Sequence, residues 1–230
     1  MRGSNPARLQ ELNDGQSLWV QSVFYTLQGE GPFTGHPAVF IRLAGCNLKC
    51  FWCDTDFESS TWQPSLDDLL RQVDDLRPSS CTLIVITGGE PFRQNIAPLV
   101  ERLLSKNLRV QIETNGTLWV EMPEHENLFI MCSPKTATLH ESIIPRISAY
   151  KYVLAAGESD CEDGLPATST QQTSIKCRIA RPNGAAEIYV MPRDDFHHEL
   201  NAHNLQTAVN TAKSHGYKLT IQTHKAIGIE

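Results

Sequence analysis

The 230-residue sequence predicts an α/β fold, an open and incomplete (β/α) barrel on a mostly parallel sheet. Three observations predict it. Short β-rich segments alternate with amphipathic helical ones after residue 37, the pattern of strand, crossover and parallel strand. Only three segments carry the periodicity of a long helix, too few for an eight-unit barrel. The strands end in polar loops rich in Cys, Gly, Asn and Ser, where such folds gather their working residues.

Residues 1–16 are polar and aperiodic and read as a flexible N-terminal extension, which leaves 17–230 as a single domain. Pro37 to Leu43 (PAVFIRL) is a strand of mixed burial. Leu66, Leu69, Leu70, Val73 and Leu76 mark one face of a helix, opened by Ser65 with Asp68 three residues on, a capping-box-like start. Thr82 to Thr87 (TLIVIT) is a buried strand running into Gly88-Gly89. Ile96, Leu99, Val100, Leu103 and Leu104 recur at helical spacing, and Arg109 to Thr114 returns as a strand. Further strands are expected at Leu128 to Cys132, Tyr150 to Leu154, Glu187 to Met191 and Lys218 to Thr223, with a helix from about Leu200 to His215. The stretches 115–127 and 155–186 are polar and irregular, and the second reads as an insertion.

Seven cysteines, an odd number in a chain long enough to need no disulfide staples, and no opening signal segment point to a reducing, cytoplasmic home. Apolar runs such as Leu83 to Ile86 fall far short of the roughly 20 residues that span a bilayer, so no membrane role is expected. A net charge of −6 and a pI near 5.7 supply no basic footprint for nucleic acid.

Cys46, Cys50 and Cys53 stand in the spacing Cys-x3-Cys-x2-Cys. A [4Fe–4S] cube wants one cysteine per iron, so a tight triplet with no obvious fourth partner leaves one iron open to a ligand that is not protein. Zinc or a simple redox pair is the alternative. A closed zinc site usually takes two paired knuckles, and no second one follows within the next 25 residues. Thr87-Gly-Gly-Glu-Pro91, Glu113-Thr-Asn-Gly116 and Ser133-Pro-Lys135 end the next three strands, so four polar loops converge on one mouth. Cys81 and Cys132 read as small buried apolar residues, Cys161 and Cys177 fall in the insertion, and His197 and His198 belong on a solvated surface.

The triplet followed by a strand-end Gly-Gly-Glu-Pro resembles the radical S-adenosylmethionine superfamily, in which the open iron is chelated by the amino and carboxylate groups of S-adenosylmethionine. Within it, the chain is similar to the 7-carboxy-7-deazaguanine synthase family, which makes the deazapurine core of queuosine precursors. The resemblance rests on Phe24-Tyr-Thr-Leu-Gln-Gly-Glu-Gly31, Pro37-Ala-Val-Phe-Ile-Arg-Leu-Ala-Gly-Cys46, Cys53-Asp-Thr55, Ile86-Thr-Gly-Gly-Glu-Pro91, Gln111-Ile-Glu-Thr-Asn-Gly-Thr117, Cys132-Ser-Pro-Lys135 and Gln222-Thr-His-Lys225. It implies a core of about six parallel strands with three main helices, a homodimer, and a flavodoxin-like electron donor. It also implies a [4Fe–4S] cluster with three Cys ligands, S-adenosylmethionine and Mg²⁺ as cofactors. The implied reaction converts 6-carboxy-5,6,7,8-tetrahydropterin to 7-carboxy-7-deazaguanine with loss of ammonia.

Carried over residue by residue, the resemblance makes Cys46, Cys50 and Cys53 the cluster ligands and Trp52 an aromatic that covers the cluster and touches the cofactor. Gly89 presents backbone to the methionine end of S-adenosylmethionine, Glu90 supports it, and Ser133, Pro134 and Lys135 form the adenosine side. In Met191 to Asp194 only Pro192 matches the family's further cofactor segment. For the substrate, Arg42 suits the carboxylate as a bidentate fork, and Glu113 accepts from the amine and N–H edge. Leu27, Gln28 and Gly29 line the pterin face, Thr87 binds at the rim, His224 reaches in from the last strand, and the terminal Glu230 joins the site. Thr55 is the expected Mg²⁺ ligand, with Asp54 behind it or capping the loop. A superfamily member that places a radical on a partner protein's glycine would share the cysteines and Gly-Gly-Glu-Pro but need no pterin pocket. An electron carrier or zinc module would need no Gly-Gly-Glu-Pro loop at a strand end.

Overall fold

The computed structural model describes residues 5–170 and 177–229. Eight strands form one sheet in the order of the chain. The first, β1 (Val20–Leu27), pairs antiparallel with β2 (Pro37–Leu43). From there β3 (Leu83–Gly88), β4 (Arg109–Thr114), β5 (Leu128–Cys132), β6 (Ala149–Leu154), β7 (Glu187–Pro192) and β8 (Lys218–Leu219) each add in parallel. The outer strands β1 and β8 are not paired to each other among the described residues, so the barrel is open, as the sequence predicts. The antiparallel edge strand β1 escaped the sequence reading, because VQSVFYTL mixes polar and apolar residues and is only partly buried.

Three main helices, α1 (Leu66–Leu76), α2 (Ala97–Ser105) and α3 (His198–His215), cover one face. The α1 start follows the expected chemistry: Ser65 Oγ accepts the Asp68 amide at 3.2 Å, satisfying one of the helix's orphan N–H groups. The period-2 pattern of the strands then sorts side chains to two sides. Val39, Ile41, Leu43, Ile84, Ile86, Val110, Ile112 and Ile130 join the core beneath the helices. Their neighbours on the other face include Arg42, Thr87, Gln111, Glu113 and Lys151, and the register sets Arg42 beside Thr87.

Two expectations are corrected. The strand expected over Lys218 to Thr223 ends at Leu219, and Thr223–Ile227 forms a short helix, α4. The alternation of Lys-Leu-Thr-Ile imitates a strand, but the contact with β7 ends at Thr220, whose amide donates to Val190 O; Gln222 O then accepts the amides of Lys225 and Ala226, and Gly228 stops the turn at φ 72°. Residues 5–16, read as a loose extension, lie against the body. The Arg8 amide donates to Cys46 O and the Glu11 amide to Arg93 O, each at 2.7 Å, and main-chain pairing of this kind leaves no side-chain periodicity to read. The described parts of 155–186 contain no helix and, apart from an isolated bridge, no strand pairing. No helix among the described residues is long and apolar enough to cross a membrane.

Candidate active site

The face opposite the helices encloses a cavity of about 540 Å³, the size of a site for one or two small organic ligands. Its floor is made of alternate strand residues and its rim of the loops at the strand ends. Lys151, from β6, sits between two carboxylates: it donates to Glu113 Oε2 at 2.9 Å and makes a very short contact with Glu30 Oε2. Gln28 and Gln111 donate to Glu113 Oε1 at 3.1 and 2.9 Å. Burial pushes the Glu113 carboxyl up, but the Lys151 charge and the hydrogen bonds from Lys151 and Gln28 outweigh it and hold the group below its ordinary range. Burial likewise works against the Lys151 ammonium, and the two carboxylates reverse the sign and raise it. A carboxylate has about four acceptor positions, so three inward donors leave Glu113 roughly one for a ligand.

Arg42 lines the same cavity from two strands away, a separation of about 10 Å. Its guanidinium lies over the Phe24 ring at 5.7 Å, and Phe24 stacks on Phe40. Among the described residues Arg42 has no ion-pair partner, so its fork is available to an anion.

At the other end of the cavity, Cys46, Cys50 and Cys53 line an adjoining space of about 100 Å³ together with Gly88, Gly89 and Lys135. Burial pushes the Cys46 thiol up to about 12 and raises Cys53 as well, so binding iron would release protons from this pocket. No three His, Cys, Asp or Glu side chains among the described residues are gathered as ligands of one ion. A four-iron cube does not need that, since each thiolate takes its own iron. The donor set and the shared wall therefore fit a cluster held by three cysteines. The glycine pair shapes this wall. A Cβ on Gly88 would stand 2.1 Å from Leu43 O, and one on Gly89 2.2 Å from Gly45 O and 2.7 Å from Cys46 Cβ, so the loop after β3 can seat the cysteine loop only as glycine.

Glu90 is fully buried beneath that loop and does not line the cavity. Its oxygens accept from Thr114 Oγ1 and the Asn115 amide at 2.7 Å and from the Phe92 amide at 3.1 Å, which ties the end of β3 to the end of β4. Burial raises its carboxyl to about 7 despite those donors. Trp52 and Lys135 line both spaces, with the ammonium 5.6 Å from the indole centroid and 2.7 Å from Ser133 O. Burial holds Lys135 below the ordinary lysine range.

Thr55 and Asp54 lie on the rim, Thr55 Oγ1 donating to Asp54 Oδ1 at 3.2 Å. Asp54 is otherwise engaged: Lys225 Nζ donates to it and to Asp194, both at 2.8 Å, fastening α4 to the cysteine loop and to the loop after β7. Burial opposes the Asp54 charge, yet Lys225 and further donors lower its carboxyl overall. His224 enters from α4 rather than from a strand, and burial lowers its imidazole. It packs on Gly29, where a Cβ would lie 2.1 Å from its Nδ1.

Leu27, Gln28, Arg42, Thr87, Glu113, His224, Trp52, Gly89, Ser133, Lys135, Cys53 and Thr55 thus share one cavity wall, while Gly29, Glu90, Pro134 and Pro192 stand off it. Glu230 lies outside the described residues. The sequence reading missed Glu30 and Lys151, which complete the charge network. A lone lysine within the apolar run Tyr150 to Leu154 was a signal for Lys151; Glu30 sat inside a quoted motif without a role.

A sequence model of the radical SAM superfamily matches residues 40–130. A 7-carboxy-7-deazaguanine synthase of Rhodospirillum rubrum is 55% identical over 236 residues, covering 100% of both chains. That of Rickettsia prowazekii is 39% identical over 100% of this chain and 96% of its own. Among solved structures, QueE from Escherichia coli superposes with a TM-score of 0.65 at 26% identity, covering 90% of this chain and 94% of that one.

Proposed function

The chain belongs to the 7-carboxy-7-deazaguanine synthase family of the radical S-adenosylmethionine superfamily, and from that premise we propose that it converts 6-carboxy-5,6,7,8-tetrahydropterin to 7-carboxy-7-deazaguanine with loss of ammonia. The observation that carries the reading is a single cavity with an unpaired guanidinium, Arg42, facing a buried Glu113–Lys151–Glu30 network, and with three thiols in the adjoining space. When bound, the [4Fe–4S] cluster and S-adenosylmethionine would supply the radical hydrogen-transfer chemistry that the ring contraction needs. Everything else is positioning.

Cys46, Cys50 and Cys53 hold the cluster, and Trp52, Gly89, Ser133 and Lys135 form the wall against which the cofactor lies. Glu90 acts from beneath, by fixing the loops after β3 and β4. Arg42 takes the pterin carboxylate, and Glu113 offers its remaining lone pair to the amine and N–H edge while Lys151 keeps it ionised. Gln28 and His224 complete the pterin end, and burial lowers the His224 imidazole, favouring its neutral form, in which one ring nitrogen donates and the other accepts. Thr55 gives Mg²⁺ a neutral oxygen; Asp54 is the poorer candidate because Lys225 occupies it. In this reading residues 17–230 work as one catalytic unit, as a homodimer, in the cytoplasm, with a flavodoxin-like protein as electron donor.

The test is turnover by reconstituted, reduced protein with S-adenosylmethionine, Mg²⁺ and the tetrahydropterin. Mass spectrometry should show 7-carboxy-7-deazaguanine forming in many-fold excess over enzyme. A fully loaded cluster that cleaves S-adenosylmethionine yet leaves the pterin unchanged would overturn the proposal and favour a different superfamily reaction.

A further inference from the structure

The irregular segment between β6 and β7 has no place in the function so far, yet it reaches the cysteine loop. Thr170 Oγ1 lies 3.1 Å from Cys50 Sγ, and the residue is only 8% exposed although it belongs to a long loop. Its backbone is fixed on both sides. Thr170 O accepts the Phe51 amide at 3.4 Å, and the Thr170 amide donates to Lys135 O at 3.2 Å. Its neighbour Ser169 donates its hydroxyl to the same Lys135 carbonyl at 2.9 Å and its amide to Cys177 O at 2.7 Å. Further back the loop is anchored to the body: Ala180 donates to Thr136 O at 2.8 Å, Tyr152 donates its hydroxyl to Ala180 O at 2.8 Å, and Arg181 pairs with Asp163 at 2.6 Å. One threonine is therefore held, from a fixed base, between the cysteine loop and the Ser133–Lys135 loop.

We infer that Thr170 is a positioning residue that donates a hydrogen bond to the Cys50 thiolate and thereby raises the reduction potential of the cluster. The direction follows from chemistry. Between a thiol and a hydroxyl either group can donate, but a thiolate bound to iron has no proton, so the hydroxyl becomes the donor. A hydrogen bond to a ligating sulfur withdraws electron density from it and favours the more negative, reduced cluster; hydrogen bonds of this kind are among the levers that set such potentials. Thr170 is itself buried, so water competes little for its hydroxyl. Cys46 and Cys53 are differently placed. Among the described residues Cys46 accepts a backbone amide, from Leu48 at 3.4 Å, and Cys53 lies against a carbonyl, Thr55 O, at 3.8 Å.

The inference rests on Cys50 being a cluster ligand, and hence on the function proposed above. Its test is a mediated redox titration of the reconstituted protein, followed by electron paramagnetic resonance of the reduced cluster, on wild type, Thr170→Val, Thr170→Ala and Thr170→Ser. A wild type with no reducible four-iron cluster would sink the proposed function itself. With that cluster in hand, Thr170→Val and Thr170→Ala should titrate at a more negative midpoint and Thr170→Ser close to wild type. A wild-type midpoint in a fully loaded Val or Ala variant overturns the inference alone. If both hydroxyl-free variants lose iron while Thr170→Ser keeps it, the hydroxyl is still shown to act on Cys50; loss of iron from Thr170→Ser as well would assign the effect to packing and contradict it.

Discussion

The two ends of the cavity are built on different terms. At the Glu113 end, on strands or beside them, three of the four charged groups already satisfy one another, Lys151 lying between Glu30 and Glu113 with Gln28 and Gln111 filling in, and only Arg42 is left over for a ligand. At the cluster end the thiols stand on a loop, and their contacts include single hydrogen bonds 3.1 to 3.8 Å from sulfur, none of them to an opposite charge. The first end is shaped by the fold alone. The second is held from outside, by the glycine contact after β3 and the Thr170 loop, and is completed by the group it binds.

The largest effect should separate the two ends outright. Cys50→Ala should abolish the four-iron cluster while leaving the denaturation midpoint of the cluster-free protein where it was; Cys81→Ala should keep a full iron and sulfide count. A complete cluster in Cys50→Ala would break the comparison. At the strand-built end, Lys151→Met leaves two buried carboxylates facing each other, and should destabilise the cluster-free protein by about 3 to 5 kcal/mol in denaturant titrations. The sign with pH is fixed. In the wild type Glu113 is held low, so its contribution is present above its unfolded value and lost as pH falls through the folded one. Without Lys151 the strongest influence against burial is gone and only Gln28, Gln111 and the Arg42 charge remain, so the carboxyl should rise and the deficit should be greatest near pH 8 and shrink toward pH 4.5. An equal deficit at both would mean Lys151 contributes packing rather than charge.

A smaller effect is expected where α4 meets β1. Gly29→Ala would drive a methyl into His224 Nδ1 and should cost about 1 to 3 kcal/mol of stability or push the imidazole out of the cavity. Pterin KM should rise while the cluster spectrum stays unchanged. The smallest concerns the metal. Thr55→Ala should lower turnover and its stimulation by Mg²⁺ without loss of iron, and Asp54→Asn should do less to the metal. Mg²⁺ and pterin should favour each other's binding, read by titrating the metal with and without substrate. Equally tight Mg²⁺ binding without pterin would point to a carboxylate site and away from Thr55.

What the sequence disclosed follows the same division. The parallel core was legible because β3 and β5 are short apolar runs and β4 alternates polar with apolar residues, all between polar loops, and α1 announced its start with Ser65 and Asp68. The cysteine spacing and Gly-Gly-Glu-Pro were equally plain, though the tight packing of Gly88 and Gly89 against Leu43 and Gly45 is a tertiary fact that no local pattern records. The last strand was over-extended because alternation at its edge continues past Thr220, whose amide makes the last bond to β7. Glu30 and Lys151 stayed hidden because a buried ion pair joins residues 121 positions apart, and the motif that names Glu90 does not record that its carboxylate turns toward Thr114 and Asn115.

The most direct measurement is the pair of affinities, for S-adenosylmethionine and for the tetrahydropterin, of reconstituted wild type, Arg42→Ala and Glu113→Ala by calorimetry. If the strand-built end reads the pterin, both variants should lose about 2 to 5 kcal/mol of pterin binding while S-adenosylmethionine binds as in the wild type. Weakened S-adenosylmethionine with unchanged pterin affinity would contradict the account and assign the two ends of the cavity the other way round.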